Sequence, residues 1–494
     1  MVANLGIFIA IITFIFKSIS MIFSAKTFPK RFTIILTLFL AGFCRAQSVG
    51  PVVEGTLPED FLPDLKVILN SALRQSPQMV ANEINIAQAE YSRIGTAAQR
   101  LPNLSSSASY AWSRITTDIP EPTGGFRPGQ ATTNQDMAHG PYYGLSLSQN
   151  LFTWYQVTNQ IKIADIGIKI AEKNYAEAYA GLAATIRGQY MGLIFQKVSL
   201  RNQRFSLNQT ARLLALDEER LRTGSMAPAE LIVPRAGYAT ARLAMARSET
   251  LYASSLRRLA RLAGVESINE AAIPLEVPKW SAAPEAPASL AAIFKRDGVE
   301  TTFQGQVNAL RLKETDLTYK NTSTRLLPRF AISVNASKYN SQTVTATTIT
   351  QQAAFSTSAS IGGSWTIFDG FATRAAKRSV LAGKRLLEQQ QKNLTAQVAD
   401  QVETAVQFIS FTAQTLEMTE TARLGYAGNV DRVRDEFKRG SVTEDAVTTS
   451  LMQLYAQDAA VVSARIELMS RWCELVSLVG VDPILNQLPA RYVH

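Results

Sequence analysis

Phe355-Ser356-Thr357-Ser358-Ala359-Ser360-Ile361-Gly362-Gly363-Ser364-Trp365-Thr366-Ile367-Phe368-Asp369-Gly370 is the stretch on which the fold turns. In an extended chain Phe355, Ala359, Ile361, Trp365 and Ile367 fall on one side, and Ser356, Ser358, Ser360 and Ser364 on the other. Period-two alternation of aromatic or aliphatic residues with small polar ones is the pattern of a strand with one face to lipid and one to water. Just upstream, Phe330, Ile332, Val334 and Ala336 alternate with Ser333, Asn335 and Ser337, so the quoted segment is the return strand of a hairpin spanning 329–368. A soluble sandwich strand would alternate too, and what brackets the hairpin decides between them.

The same arrangement is written earlier in the chain. Leu151-Phe152 and Ile367-Phe368 are 216 apart. So are the glycines of Arg222-Thr223-Gly224-Ser225 and Lys438-Arg439-Gly440-Ser441, and those of Leu262-Ala263-Gly264-Val265 and Leu478-Val479-Gly480-Val481. Leu101-Pro102 and Leu327-Pro328 are 226 apart, so the first copy carries ten extra residues before Phe152. Three landmarks at one offset mark an internal repeat. The first hairpin, 103–152, places Leu104, Ser106, Ala108, Tyr110 and Trp112 opposite Ser105, Ser107 and Ser109. Its return strand places Tyr143, Leu145, Leu147 and Leu151 opposite Gly144, Ser146 and Ser148.

Each copy opens with a helix, near Leu65–Arg100 and Leu290–Arg325, that a Leu-Pro stop ends, because proline lacks a donor and clashes with the preceding turn. After each hairpin comes a long helical stretch, Gln156–Arg222 and Ala372–Lys438, with no proline between Pro141 and Pro228 or between Pro328 and Pro483. At 1.5 Å per residue such a helix runs on the order of 100 Å. In the second, Leu387, Leu394, Val398, Val402, Ala405, Ile409 and Leu416 form a coiled-coil-like stripe on a Gln/Thr/Glu-rich helix. Gly-Ser ends each stretch, and return helices run over Ala229–Ala263 and Glu444–Val479. The organisation is thus a first repeat at 47–272, a linker at 273–289 with Pro274, Pro278, Pro284 and Pro287, and a second repeat at 290–494.

Residues 1–46 read as an export signal. Lys26, Lys30 and Arg31 precede the apolar run from Phe32 to Phe43, and Cys44-Arg45-Ala46 offers small residues at −3 and −1 of a cut after Ala46. Met21 opens a complete signal by itself, so translation starts at Met1 or at Met21. Bulky Phe43 argues against lipid attachment at Cys44. Neither this run nor the one from Leu5 to Phe16 reaches the roughly 18–20 residues a spanning helix needs. Removing Lys17, Lys26, Lys30, Arg31 and Arg45 lowers the formal charge from +10 to +5, which leaves no basic footprint for nucleic acid. Cys473 is then alone, so no intrachain disulfide is possible. His139 and His494 build no metal site, neither HExxH nor GxxxxGK occurs, and pairs such as Asp435-Glu436 read as the solvated face of a helix. The expectation is no cofactor and no enzyme.

Four strands cannot close a barrel, and open edges in lipid would leave backbone groups unsatisfied. Closure therefore demands several chains. Three would supply twelve strands, with the helices arranged about the same axis as a hollow tube. The order helix, Leu-Pro, hairpin, Leu-Phe, long helix, basic-x-Gly turn and return helix, written twice, resembles the TolC family of outer-membrane efflux proteins over the whole mature chain. Ile367-Phe368-Asp369-Gly370 matches that family's strand-to-helix junction, while Leu151-Phe152-Thr153-Trp154 lacks the Asp-Gly.

The resemblance implies a mixed α/β membrane protein: a homotrimer with a twelve-stranded β-barrel in outer-membrane lipid, continuous with a periplasmic α-helical coiled-coil barrel, with the linker in its equatorial region. It implies the cell outer membrane of a Gram-negative bacterium, and as partners a periplasmic adaptor (membrane fusion) protein and an inner-membrane RND or ABC transporter. The expected role is exit duct of a tripartite pump passing small molecules, or the outer-membrane component of a type I protein secretion system. By the same resemblance the tunnel's periplasmic end is a constriction, with Glu230, Glu444 and Asp445 as its acids. Val442 stands where the family's best-known pattern has a basic residue. For Glu444 and Asp445 a plain helix N-terminus, with Thr443 as cap, explains the charges equally. Arg222, Gly224, Ser225, Arg439, Gly440 and Ser441 form the tip turns that would dock the adaptor. A barrel-less periplasmic coiled coil leaves the four alternating strands unexplained, and an adhesin needs longer exposed loops than these.

Overall fold

The computed structural model describes residues 56–118, 133–280, 285–344 and 349–493. The expected export signal at 1–46, the start of the first repeat, the ends of both hairpins and part of the linker lie outside them. Four strands, β1 (Asn103–Asp118), β2 (Thr133–Phe152), β3 (Arg329–Val344) and β4 (Ile349–Ser364), form one antiparallel sheet in the order β1-β2-β3-β4. The edge strands β1 and β4 are each 16 residues long.

Register carries the two faces across the sheet. Leu104 pairs with Leu147, Leu147 with Val334, and Val334 with Ala359. One step along, Ser105 pairs with Ser146, Ser146 with Asn335, and Asn335 with Ser358. The polar row is hydrogen-bonded to itself. Ser146 Oγ donates to Asn335 Oδ1 at 2.7 Å, and the Ser333 and Ser360 hydroxyls lie 2.8 Å apart. A register shift between Asn150 and Phe152 sets Phe152 against Phe330. This bulge breaks the parity that the sequence pattern assumed for Leu151, because one extra residue reverses the alternation.

Eight longer helices carry the rest of the described chain: α1 (Pro63–Gln75), α2 (Pro77–Ala97), α3 (Gln156–Arg222), α4 (Ile232–Ala263), α5 (Ala286–Asp297), α6 (Phe303–Ser323), α7 (Ala372–Lys438) and α8 (Glu444–Val479). The single opening helix expected in each repeat is broken. At the first break Pro77 supplies no N–H, Ser76 is extended (ψ 134°), and its hydroxyl accepts from Gln78 N at 3.3 Å. At the second, Thr302 is extended (ψ 146°) and caps Gly305 N at 3.2 Å. Ser76 and Thr302 are separated by the same interval as the two Leu-Pro stops, so the break belongs to the repeat. Two further expectations shift slightly. The last residues assigned to the linker already open α5 at Ala286, and the first return helix begins as a short 3-10 turn, Pro228–Leu231.

The breaks receive the ends of the return helices. Gly264 and Gly480 terminate α4 and α8 with φ +68° and +75°. A Cβ there would lie 2.6 Å from Gln75 O and 2.9 Å from Thr301 O respectively, so both backbone angle and space require glycine. Helix α3 packs against α4 and α8, and α8 against α7, which leaves α4 and α7 at the two edges of the helical layer.

The apolar core gathers where α1, α3, α4 and α8 meet, with Leu65, Ile186, Tyr190, Ile194, Leu259, Ala263, Trp472 and Val479 at 2 % exposure or less. Each such large side chain contributes on the order of 1.5–3 kcal/mol through burial. Inside it Arg187 donates to Asp482 at 2.5 and 3.1 Å and to Glu59 at 2.9 Å, tying α3 to segments from both ends of the chain. Burial alone disfavours the guanidinium's charge, and the hydrogen bonds to Asp482 and Glu59 more than offset that. Nearby Cys473 is a free, buried thiol, pushed up to about 12 mainly by desolvation. Further down, α7 buries Val398, Val402, Ala405, Ile409, Thr412 and Leu416 at alternating steps of four and three, the seam of a coiled coil.

The linker is irregular yet held. Tyr190 Oη donates to Ala272 O at 2.6 Å, and Lys197 Nζ to Ile273 O at 2.6 Å. Arg465 Nη1 donates to Val277 O at 2.7 Å, while Arg465 and Lys279 clasp Glu420 at 2.8 and 3.0 Å.

Candidate functional site

Two places link sheet to helix and helix to helix, and each occurs twice. At the strand-to-helix junctions the backbone passes through two successive left-handed residues, Trp154 and Tyr155 (φ 51° and 63°) and Gly370 and Phe371 (φ 61° and 66°). The first junction makes the turn without Asp-Gly. Trp154 takes the glycine's position and its indole donates to Pro328 O at 2.6 Å. In the second, Asp369 caps the helix by accepting from Thr373 N at 2.8 Å and from Thr373 Oγ1 at 2.5 Å. Those bonds hold its carboxyl below the usual range.

The helix tips are built by one motif. Gly224 and Gly440 (φ 76° and 73°) follow the ends of α3 and α7. Ser225 N donates to Arg220 O at 2.8 Å and Gly224 N to Leu221 O at 3.1 Å; Ser441 N and Gly440 N bond Glu436 O and Phe437 O at 3.0 and 2.9 Å. This is the Schellman pair of bonds, which needs a left-handed residue at its centre. Nothing lies within 4 Å of a Cβ added at either glycine, so the angle alone selects the residue.

The candidate side chains then divide. Arg222 forks onto Glu219 at 2.9 and 2.6 Å, which raises its already high pKa. Arg439 Nε reaches Asp435 O at 3.2 Å, and Ser225 Oγ sits 3.1 Å from Thr223 Oγ1. Glu230 folds back on its own turn, its carboxylate accepting from Ala227 N at 3.2 Å as half of a capping box. Glu444 reaches outward instead and pairs with Arg212 of α3 at 2.5 Å, a bridge between the two hairpins of one chain. Asp445 is exposed in the first turn of α8, where the helix dipole favours it. Thr443 holds the cap position in extended conformation, but its side chain makes no capping bond. The structure thus brings Glu444 to a partner, Arg212, that no sequence pattern announced, since the equivalent position in the second copy is Gly428. Among the described residues no cluster of three His, Cys, Asp or Glu could hold a metal, and no helix is long and apolar enough to cross a membrane.

Residues 68–265 match the model of the outer membrane efflux protein family. No match is found among curated protein sequences. Among solved structures, the chain is similar to the CmeC outer membrane channel of Campylobacter jejuni, at 13% identity and a TM-score of 0.64 over 86% of this chain and 88% of that one. A membrane protein from Pseudomonas aeruginosa gives 16% and 0.61 over 87% and 93%. The outer membrane protein VceC of Vibrio cholerae gives 13% and 0.60 over 86% and 99%. At such identities the likeness speaks for the fold alone, and the family match covers the first repeat. Residues 68–265 are thus similar to the outer membrane efflux protein family, and the chain as a whole shares the fold of these outer membrane channels.

Proposed function

We propose that the protein is the outer-membrane exit duct of a tripartite efflux pump, a passive conduit for small molecules from periplasm to exterior. The observation that carries this reading is the sheet. It has one apolar face, one hydrogen-bonded serine–asparagine face, and two unpaired edges of equal length, and it runs directly into helices of 67 residues. Edges like these are satisfied in lipid only by another copy, β4 of one pairing with β1 of the next. Three copies close twelve strands, the apolar face outward and the polar face lining the bore. In this reading the tips at Gly224 and Gly440 lie in the periplasm, where they meet an adaptor protein fed by an inner-membrane RND or ABC transporter. The acids Glu444 and Asp445 then ring the constriction, and the Arg212–Glu444 pair holds neighbouring hairpins at rest.

A deletion strain compared with its complemented parent tests this reading on two outputs, retention of a fluorescent efflux dye and the proteins of the spent medium. Dye retention with an unchanged medium is the expected result. Loss of one secreted protein with normal dye efflux would make the chain a type I secretion duct instead.

A further inference from the structure

Over the stretch of α7 between Asp400 and Thr421 the two edges of the helical layer carry opposite charge. Helix α4 holds six arginines, Arg235, Arg242, Arg247, Arg257, Arg258 and Arg261, against one acid, Glu249. Arg235 pairs with Glu218 at 3.3 Å; the other five are exposed and make no ion pair among the described residues. On the opposite edge, α7 between Asp400 and Thr421 has four acids, Asp400, Glu403, Glu417 and Glu420, and no base. Glu420 is taken by Arg465 and Lys279, and the remaining three are exposed and unpaired among the described residues.

The heights agree as well as the signs. Counted from the tip glycines, Arg247 and Glu417 stand equally far along the chain, and so do Arg261 and Glu403. The turn before α4 uses a few of those residues, which offsets the levels by about one helical turn. Exposed Leu243 and Leu251 on α4, and Phe411 and Met418 on α7, lie among these charges, an apolar strip with ionic flanks.

Resting on the duct reading, we propose that the occupant of this basic edge is the acidic edge of a second copy. The α4 arginines of one chain and Asp400, Glu403 and Glu417 of the next form a vertical ionic seam that sets the order in which copies join. The same neighbour whose β4 meets β1 brings its α7 beside α4, because β1 and α4 share one flank of the chain and β4 and α7 the other. Like edges repel, so only head-to-tail closure is permitted, and the seam is screened by salt.

The test is charge reversal in the full chain purified in detergent. Arg247→Glu with Arg261→Glu lowers by several degrees the temperature at which the SDS-resistant oligomer dissociates, and adding Glu403→Arg with Glu417→Arg restores it. An oligomer indifferent to the double reversal, or a fourfold variant no better than the double, overturns the seam while leaving the duct reading intact. A wild-type chain that is monomeric in lipid overturns both. Because reversal could impair folding, a second measurement uses Arg261→Cys with Glu403→Cys under oxidation. Covalent multimers in the double variant and in neither single one are expected, and their absence refutes the proposed contact.

Discussion

The chain turns from sheet into helix twice, at Thr153-Trp154-Tyr155 and at Asp369-Gly370-Phe371, with nearly the same backbone and different chemistry. In the second turn glycine accepts the left-handed angle without cost and Asp369 caps the helix. In the first, Trp154 holds an angle that costs an L-residue on the order of 1–2 kcal/mol, and an indole bond to Pro328 O helps keep it there. The tips divide similarly: Glu230 serves its own turn, whereas Glu444 reaches another hairpin. So does the equator, where Arg187 is buried and its counterpart in the second copy, Glu403, is exposed. The repeat keeps its geometry between copies and leaves the means of achieving it free.

The sharpest way to break that comparison is at the equator. Arg187→Met leaves buried Asp482 and half-buried Glu59 without their cation and should cost about 3–5 kcal/mol. Glu403→Gln should change chain stability by no more than ~0.5 kcal/mol. Denaturant unfolding followed by circular dichroism reads both, and equal losses would mean the two positions are not inequivalent after all. At the tips, Gly224→Leu with Gly440→Leu forces two side chains into left-handed angles at roughly 1–2 kcal/mol each. The expected outcome is dye export lost with heat-modifiable oligomer migration retained; continued export would detach the tips from docking.

Smaller effects sharpen the junctions. Gly370→Trp should destabilise by about 1 kcal/mol or more, since an L-residue must then hold the left-handed angle that glycine takes freely. Transplanting Asp-Gly into the first junction, Thr153→Asp with Trp154→Gly, should come out close to neutral, relief of the angle offsetting loss of the bond to Pro328. Thermal unfolding of the two variants side by side decides whether the junctions are interchangeable. The smallest effect is expected from Arg212→Ala. An exposed ion pair is worth about 0.2–1 kcal/mol, so stability barely moves while uptake of a large antibiotic through the resting duct rises. Unchanged uptake would leave Glu444 a helix-terminus acid only.

Most of the frame was legible because its signals are periodic or terminal. The limits of α3 and α7 follow from Gly224 and Gly440 and from the absence of proline, and the sheet faces from serine alternating with aromatics. What escaped was non-local or a matter of parity. The break at Ser76 has a proline to announce it, but its counterpart at Thr302 has none and depends on Gly480 approaching from the far end of the second repeat. The bulge at Leu151 cannot be counted from one strand, because it exists only relative to β3. At the site, the glycines and their neighbours were readable from the turn they must make. The partners were not: Arg212 meets Glu444 only because two hairpins lie side by side, and Glu230's bond to its own backbone looks in sequence like any acid near a helix start.

The serines and Asn335 that bond one another across the sheet carry a further consequence. On the proposed duct reading this face lines the bore, and the Ser146–Asn335 and Ser333–Ser360 pairs turn their polar atoms to one another rather than to a passing solute. Traffic along such a wall meets little friction and little discrimination by chemical type. Sorting then has to be done upstream, by whatever admits the cargo, and the wall's own contribution is to let go.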